Sequence, residues 1–177
     1  MIKRWLWVSL WAVLAFISYR SEAESLCPAA IPETANGNLY EELGEGEILH
    51  LPSDLVFMRC SLGQTWQNGA CIGEADTFTW QEALQISIGY DYADSQNWRL
   101  PNVKELSVIA ERACVRPAIN EEAFPSTPAD DFWTSTVSVQ TQSGQSANGA
   151  WSVAFFNGTT SLRNVERNLH VRLVRTR

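Results

Sequence analysis

The 177-residue chain changes its hydrophobic rhythm several times. Trp5 to Ile17 is a nearly continuous apolar run. Residues 28–50 have no clear period and fill with Pro, Gly, Asn and Glu, as a loosely held approach segment would. Leu55-Val56-Phe57-Met58 then reads as a short strand. Thr79, with Glu82 three positions on, can form a capping box that opens a helix over TWQEALQISI. Trp80, Ala83, Leu84 and Ser87 share one face of it, and Gly89 ends it. The loop GYDYADSQ follows. Pro117, Pro125 and Pro128 keep the next part irregular, with at most a helical turn after Asn120. From Phe132 the signals are for strands: Phe132 to Thr136, Trp151 to Phe156, Thr159 to Arg163 and Leu169 to Arg175. Asn157-Gly158 is a hairpin signal between the second and third. Two helices early and an antiparallel sheet late define an α+β fold of two helices packed on a twisted sheet.

Between the helical and strand regions lies NWRLPNVKEL, residues 97–106. Leu100 precedes a proline and is pushed out of helical space, so Trp98-Arg99-Leu100 should be extended. Asn102 after Pro101 can cap, and Glu105 can reach back to close a capping box. Val103, Leu106, Ile109 or Ala110, and Ala113 then form one apolar stripe, which predicts a second helix running to about Cys114. The stretch reads as a structural corner that docks this helix on the sheet, with Arg99 and Glu105 as a capping and ion-pair arrangement.

The apolar run changes the picture of where the protein works. Lys3 and Arg4, then Trp5 to Ile17, then Ser21-Glu22-Ala23 are the three parts of a secretory signal peptide, so residues 1–23 are expected to be removed. The run is short for a membrane span, which needs about 20 residues. Residues 24–54 are then an approach segment and 55–177 the domain. Residues 1–23 carry Lys3, Arg4 and Arg20 against Glu22, a net +2; the formal charge is −7, so the remaining 154 residues carry −9. That balance argues against general binding to nucleic acid. It does not exclude a local basic patch.

Cys27, Cys60, Cys71 and Cys114 all lie in the exported part, and four cysteines in an oxidising compartment imply two disulfides among three possible pairings. Asn68-Gly69 between Cys60 and Cys71 favours a tight hairpin, which makes a bridge across that loop plausible and leaves Cys27 for Cys114. CxxC spacing, which a zinc site would favour, is missing.

Several of these stretches occur together in one known family. Trp80-Gln-Glu-Ala, NWRLPNVKEL, Pro117-Ala-Ile-Asn120, Phe124-Pro125, Phe132-Trp133-Thr-Ser, Trp151-Ser-Val-Ala-Phe155 and Val171-Arg-Leu-Val-Arg175 appear in an order that resembles the Lcl C-terminal domain family. MRCSLGQTW and CIG upstream fit it too, so the resemblance covers most of residues 55–176. Asn97 stands where Asp is common in that family. The resemblance implies a C-type-lectin-like fold, an exported bacterial protein, and an adhesive role with sulfated glycans as ligands. One fold hosts many functions, so the fold is the firmer implication.

Candidate chemistry follows from three places. SLRNVERNLHVRLVRTR holds Arg163, Arg167, His170, Arg172 and Arg175; on a strand His170 and Arg172 would face one way and Val171 and Leu173 the other. Such a basic face suits the sulfate or carboxylate groups of a glycan. Asp91, Asp94 and Asn97 offer oxygen donors of the kind calcium takes, without the spacing of an EF-hand. Trp133 and Trp151 fall in strands, where tryptophan is usually core, with stacking on a sugar ring as the alternative. The polar stretch Gln140 to Ala150 reads as a recognition loop or a tolerated insertion.

Hydrolase and phosphate-binding motifs are missing, and only His50 and His170 are present. The sequence therefore predicts an exported, non-enzymatic binding module without cofactor, whose partner is a sulfated or acidic polysaccharide. A surface protein as partner is the alternative; an enzyme on a C-type-lectin-like scaffold is the third reading, which a reactive free cysteine would favour.

Overall fold

A computed structural model describes residues 25–142 and 145–177, with the side chains of 139–148 left aside. Residues 1–23, expected to be a signal peptide, lie outside the described residues. The fold is sheet-rich α+β. Four strands, β1 (Tyr40–Gly44), β2 (Glu47–His50), β3 (Leu55–Met58) and β11 (Val174–Thr176), form one antiparallel sheet in the order β1-β2-β3-β11. A second sheet has the order β6-β10-β7-β8-β9, from β6 (Thr77–Phe78), β7 (Asp131–Gln142), β8 (Gln145–Ala154), β9 (Thr159–Asn164) and β10 (Leu169–His170). β4 (Thr65–Gln67) and β5 (Ala70–Ile72) make a separate hairpin. Its turn residues Asn68 and Gly69 both take positive φ, 49° and 83°, the twist that a two-residue hairpin needs.

Both expected disulfides are present, Cys60–Cys71 across this hairpin and Cys27–Cys114 across 87 residues. No cysteine is free. Paired cysteines are the mark of an oxidising compartment, which places the protein outside the cytoplasm. Among the described residues no helix is long and apolar enough to cross a membrane.

The helices are shorter than the sequence suggests. α1 (Trp80–Ser87) has the predicted Thr79–Glu82 capping box and buries Ala83 and Ser87. α2 (Val103–Ser107) also has its Asn102–Glu105 box, but it stops well before Cys114. The chain turns at Ile109 and Ala110 and pairs instead with residues 118–119. Glu111 anchors that turn, because its buried carboxylate accepts hydrogen bonds from the backbone N–H groups of Thr34, Ala35 and Ala113 and from the Thr34 hydroxyl. Those bonds overcome the burial penalty and hold its pKa below the ordinary carboxylate value.

Three further expectations change. Residues 28–50 are not loose throughout: residues 40–50 supply β1 and β2, and every residue of β2 is buried. Residues 140–142 and 145–150 are strand and not loop, because the β7–β8 pairing runs on to Gln142 opposite Gln145. The strand expected over Leu169 to Arg175 is divided: β10 joins the five-stranded sheet, β11 the four-stranded one, and Val171-Arg172-Leu173 crosses between them.

The crossing segment and its flanking strands contribute to the core: Leu169, Val171 and Leu173 belong to one apolar cluster and Val174 to the other. Neighbouring side chains of β7 enter opposite sides, Phe132 into one cluster with Leu106, Ile109 and Phe155, Trp133 into the other with Ala83, Trp98 and Leu100. The five-stranded sheet thus carries apolar packing on both faces.

Candidate functional site

The expected basic face does not assemble. Arg172 is fully buried. Its guanidinium donates to the carbonyls of Met58 (2.8 Å) and Arg59 and to the hydroxyls of Ser61 and Thr127 (2.7 Å to the latter). The rings of Phe124 and Phe132 lie 4.8 and 5.9 Å from its carbon. Burial pushes its pKa down to about 9, so it keeps its proton at neutral pH. It is a stitch between segments, closed to any outside ligand. Arg175 pairs with Glu47 at 2.8 Å, both largely buried, and Arg163 pairs with Asp131 at 2.8 Å. His170 contacts the carbonyl of Asp76 through Nδ1, and Arg167 is exposed. Burial has scattered the five residues, because the segment is not a strand with one wet face.

The corner is as the sequence predicts. Trp98 is buried and donates its indole N–H to Tyr92 O at 3.0 Å. Arg99 forks onto Glu105 at 2.7 and 2.8 Å, and Glu105 accepts from Asn102 N at 2.7 Å. The hydrogen bond and charge of Arg99 lower the pKa of Glu105. Leu100 is buried, and Pro101 O accepts from Ser135 N, which fastens the corner to β7. The loop before it is a tight turn with Tyr92 and Ser95 paired, Ala93 and Asp94 at positive φ, and Asp91 accepting from Gln96. Among the described residues no three acidic, histidine or cysteine side chains gather as a metal site would require, Asp91 and Asp94 included. Asn97 bonds through its N–H to Ser95.

The tryptophans separate into two kinds. Trp80, Trp98 and Trp133 each donate the indole N–H to a main-chain carbonyl, of Thr134, Tyr92 and Phe78. Among the described residues Trp66 and Trp151, both half-buried, make no such bond; the Arg59 guanidinium covers the Trp66 ring at 4.3 Å, which leaves Trp151 with no cation stacked on it. Trp151 lies in a shallow groove of about 480 Å³ with Val103, Lys104, Ser107, Val108 and Arg112. Lys104 and Arg112 are exposed, and neither has an acidic partner among the described ion pairs. The Arg112 guanidinium donates to Gly158 O at 3.2 Å. An aromatic surface that shares a groove with two cations lacking an acidic partner can hold an apolar ring face and an anionic substituent together. Sequence reading named Trp151 but missed Lys104 and Arg112. Lys104 lay hidden inside the corner motif, and Arg112 within the span assigned to a longer helix.

The family model of the Lcl C-terminal domain matches residues 46–175, most of the chain. The chain belongs to the Lcl C-terminal domain family. A search of curated proteins finds no match. The Lcl C-terminal domain match begins at Gly46, at the turn between β1 and β2, which agrees with β2 being an integral strand. It also takes in the whole Trp151 groove.

Proposed function

We propose that the protein is an exported, non-enzymatic binding module that takes an acidic polysaccharide in the Trp151 groove, on a scaffold of the C-type-lectin-like kind. The carrying observation is Trp151 itself: half-exposed, with no partner for its N–H among the described residues, and sharing its groove with Lys104 and Arg112 in a chain whose formal charge is −7. Aromatic rings offer sugar a flat apolar surface, and the two cations offer sulfate or carboxylate a charge partner. The disulfides and the signal-like start of the sequence support export; the family resemblance supports the glycan and the scaffold. Retention of the oxidised protein on a sulfated polysaccharide should fall as salt rises. Trp151→Ala should weaken it about tenfold, as should Lys104→Ala with Arg112→Ala, at roughly 1–2 kcal/mol. Retention unchanged in both variants would overturn the assignment.

A protein partner is the second reading. Leu26 and Val115, 58% and 39% exposed, face each other in a backbone pair, and Phe156, 43% exposed, lies under Arg116 nearby in the chain's pairing. Co-purification insensitive to salt and lost in Leu26→Asp would favour it.

A further inference from the structure

A second groove adjoins the other core cluster, at the start of α1 and the base of the β7–β8 pair. It has a volume of about 440 Å³. Trp80 and Val165, partly buried against that cluster, and Val137, 53% exposed, give it an apolar surface. Gln81, Ser138 and Glu166 supply polar groups beside it. Its charge is the reverse of the Trp151 groove. Among the described residues no lysine or arginine lines it, and the exposed Glu166 carboxylate enters no ion pair or hydrogen bond; only its backbone N–H is used, on Asn164. Glu82, one turn into α1, is already committed to the hydroxyl and N–H of Thr79, so the capped helix start has no anion site to offer.

We propose that this groove binds an amino sugar unit, its ring against the apolar surface and its ammonium beside Glu166. A carboxylate next to an aromatic residue favours a cation. The amide of Gln81 and the hydroxyl of Ser138 match sugar hydroxyls, and the space suits a ring better than a narrow alkyl chain. The proposal rests on the saccharide-binding reading and deepens it: one sheet carries two grooves, one for anionic and one for amino sugars.

The test is calorimetric titration of the oxidised protein with a glucosamine tetramer and, separately, its fully N-acetylated counterpart. The glucosamine tetramer should bind. Glu166→Gln should weaken it about fivefold while barely changing the acetylated tetramer. Val137→Arg, at an exposed position, should abolish binding of both by filling the groove, with like-charge repulsion added for the glucosamine tetramer alone. Neither variant should change retention on the sulfated polysaccharide. Silence toward both tetramers with sulfated retention intact overturns this proposal alone, as does binding unaffected by either variant. Equal competition by tetralysine overturns the sugar assignment in favour of a cationic peptide. Loss of sulfated retention in the unmodified protein, with the tetramer still bound, sinks the Trp151 reading and leaves this groove standing.

Discussion

The corner 97–106 and the tail 168–177 meet at one backbone pair, Arg99 with Val174, joined in both directions at 2.9 Å. They hold their arginines differently. Arg99 is partly open, its side chain 42% exposed, and its partner is a carboxylate six residues along the same chain. Arg172 is sealed and has no carboxylate partner; its two terminal nitrogens donate to groups 45 to 114 residues away, while its Nε is buried without a partner. Nearness along the chain lets the corner settle its own charge. The tail's arginine depends on two distant segments, 58–61 and 124–127, arriving in the right place. Charge in a sequence therefore says little about a binding face until burial is known.

The largest test of that contrast is Arg172→Ala. It removes the guanidinium that ties Met58, Arg59, Ser61 and Thr127 together and leaves space beside Phe124. Urea unfolding should show a loss of about 3 kcal/mol. A loss under 0.5 kcal/mol would mean that the tail is a surface after all. Arg175→Ala comes next, since it strands Glu47, whose side chain is only 10% exposed. We expect about 2 kcal/mol, with glycan retention unchanged. Glu105→Ala should cost about 1.5 kcal/mol, mainly through the lost cap, because half-exposed Arg99 is screened by water.

The smallest effect concerns pH. Glu105 has a lower pKa folded than unfolded, so its contribution is complete above the ordinary glutamate value near 4.3 and drains away as pH falls through the folded value. Glu105→Gln should flatten that acid limb of stability, whereas Arg172 does not titrate there. An acid limb of equal steepness in Glu105→Gln would assign it elsewhere, with Glu111 as the next candidate.

The same contrast explains what could be read early. The capping boxes at Thr79 and Asn102, the Cys60–Cys71 hairpin and the extended Trp98-Arg99-Leu100 each depend on residues within a dozen positions. Leu169 to Arg175 was misread because alternation assumes one sheet with one wet face, and this segment leaves one sheet to enter another. α2 was overlong because an apolar stripe at helical spacing also suits a turn, once Glu111 draws the chain toward Thr34 and Ala35. Residues 40–50 lacked a strand signal because their polar-rich start, YEELG, forms an exposed edge strand. Of the Trp151 groove only the tryptophan was legible, since its neighbours arrive from α2 and the turn after it.

The sequence by itself determined the local units: two caps, two hairpin turns, the corner and the family. Each is decided by short-range sterics or hydrogen bonding, or by motifs kept in order along the chain. Tertiary structure alone decided which polar groups reach solvent. Arg172 was drawn into the core while Lys104 and Arg112 were left beside Trp151, because burial depends on how segments far apart in the chain pack around each residue.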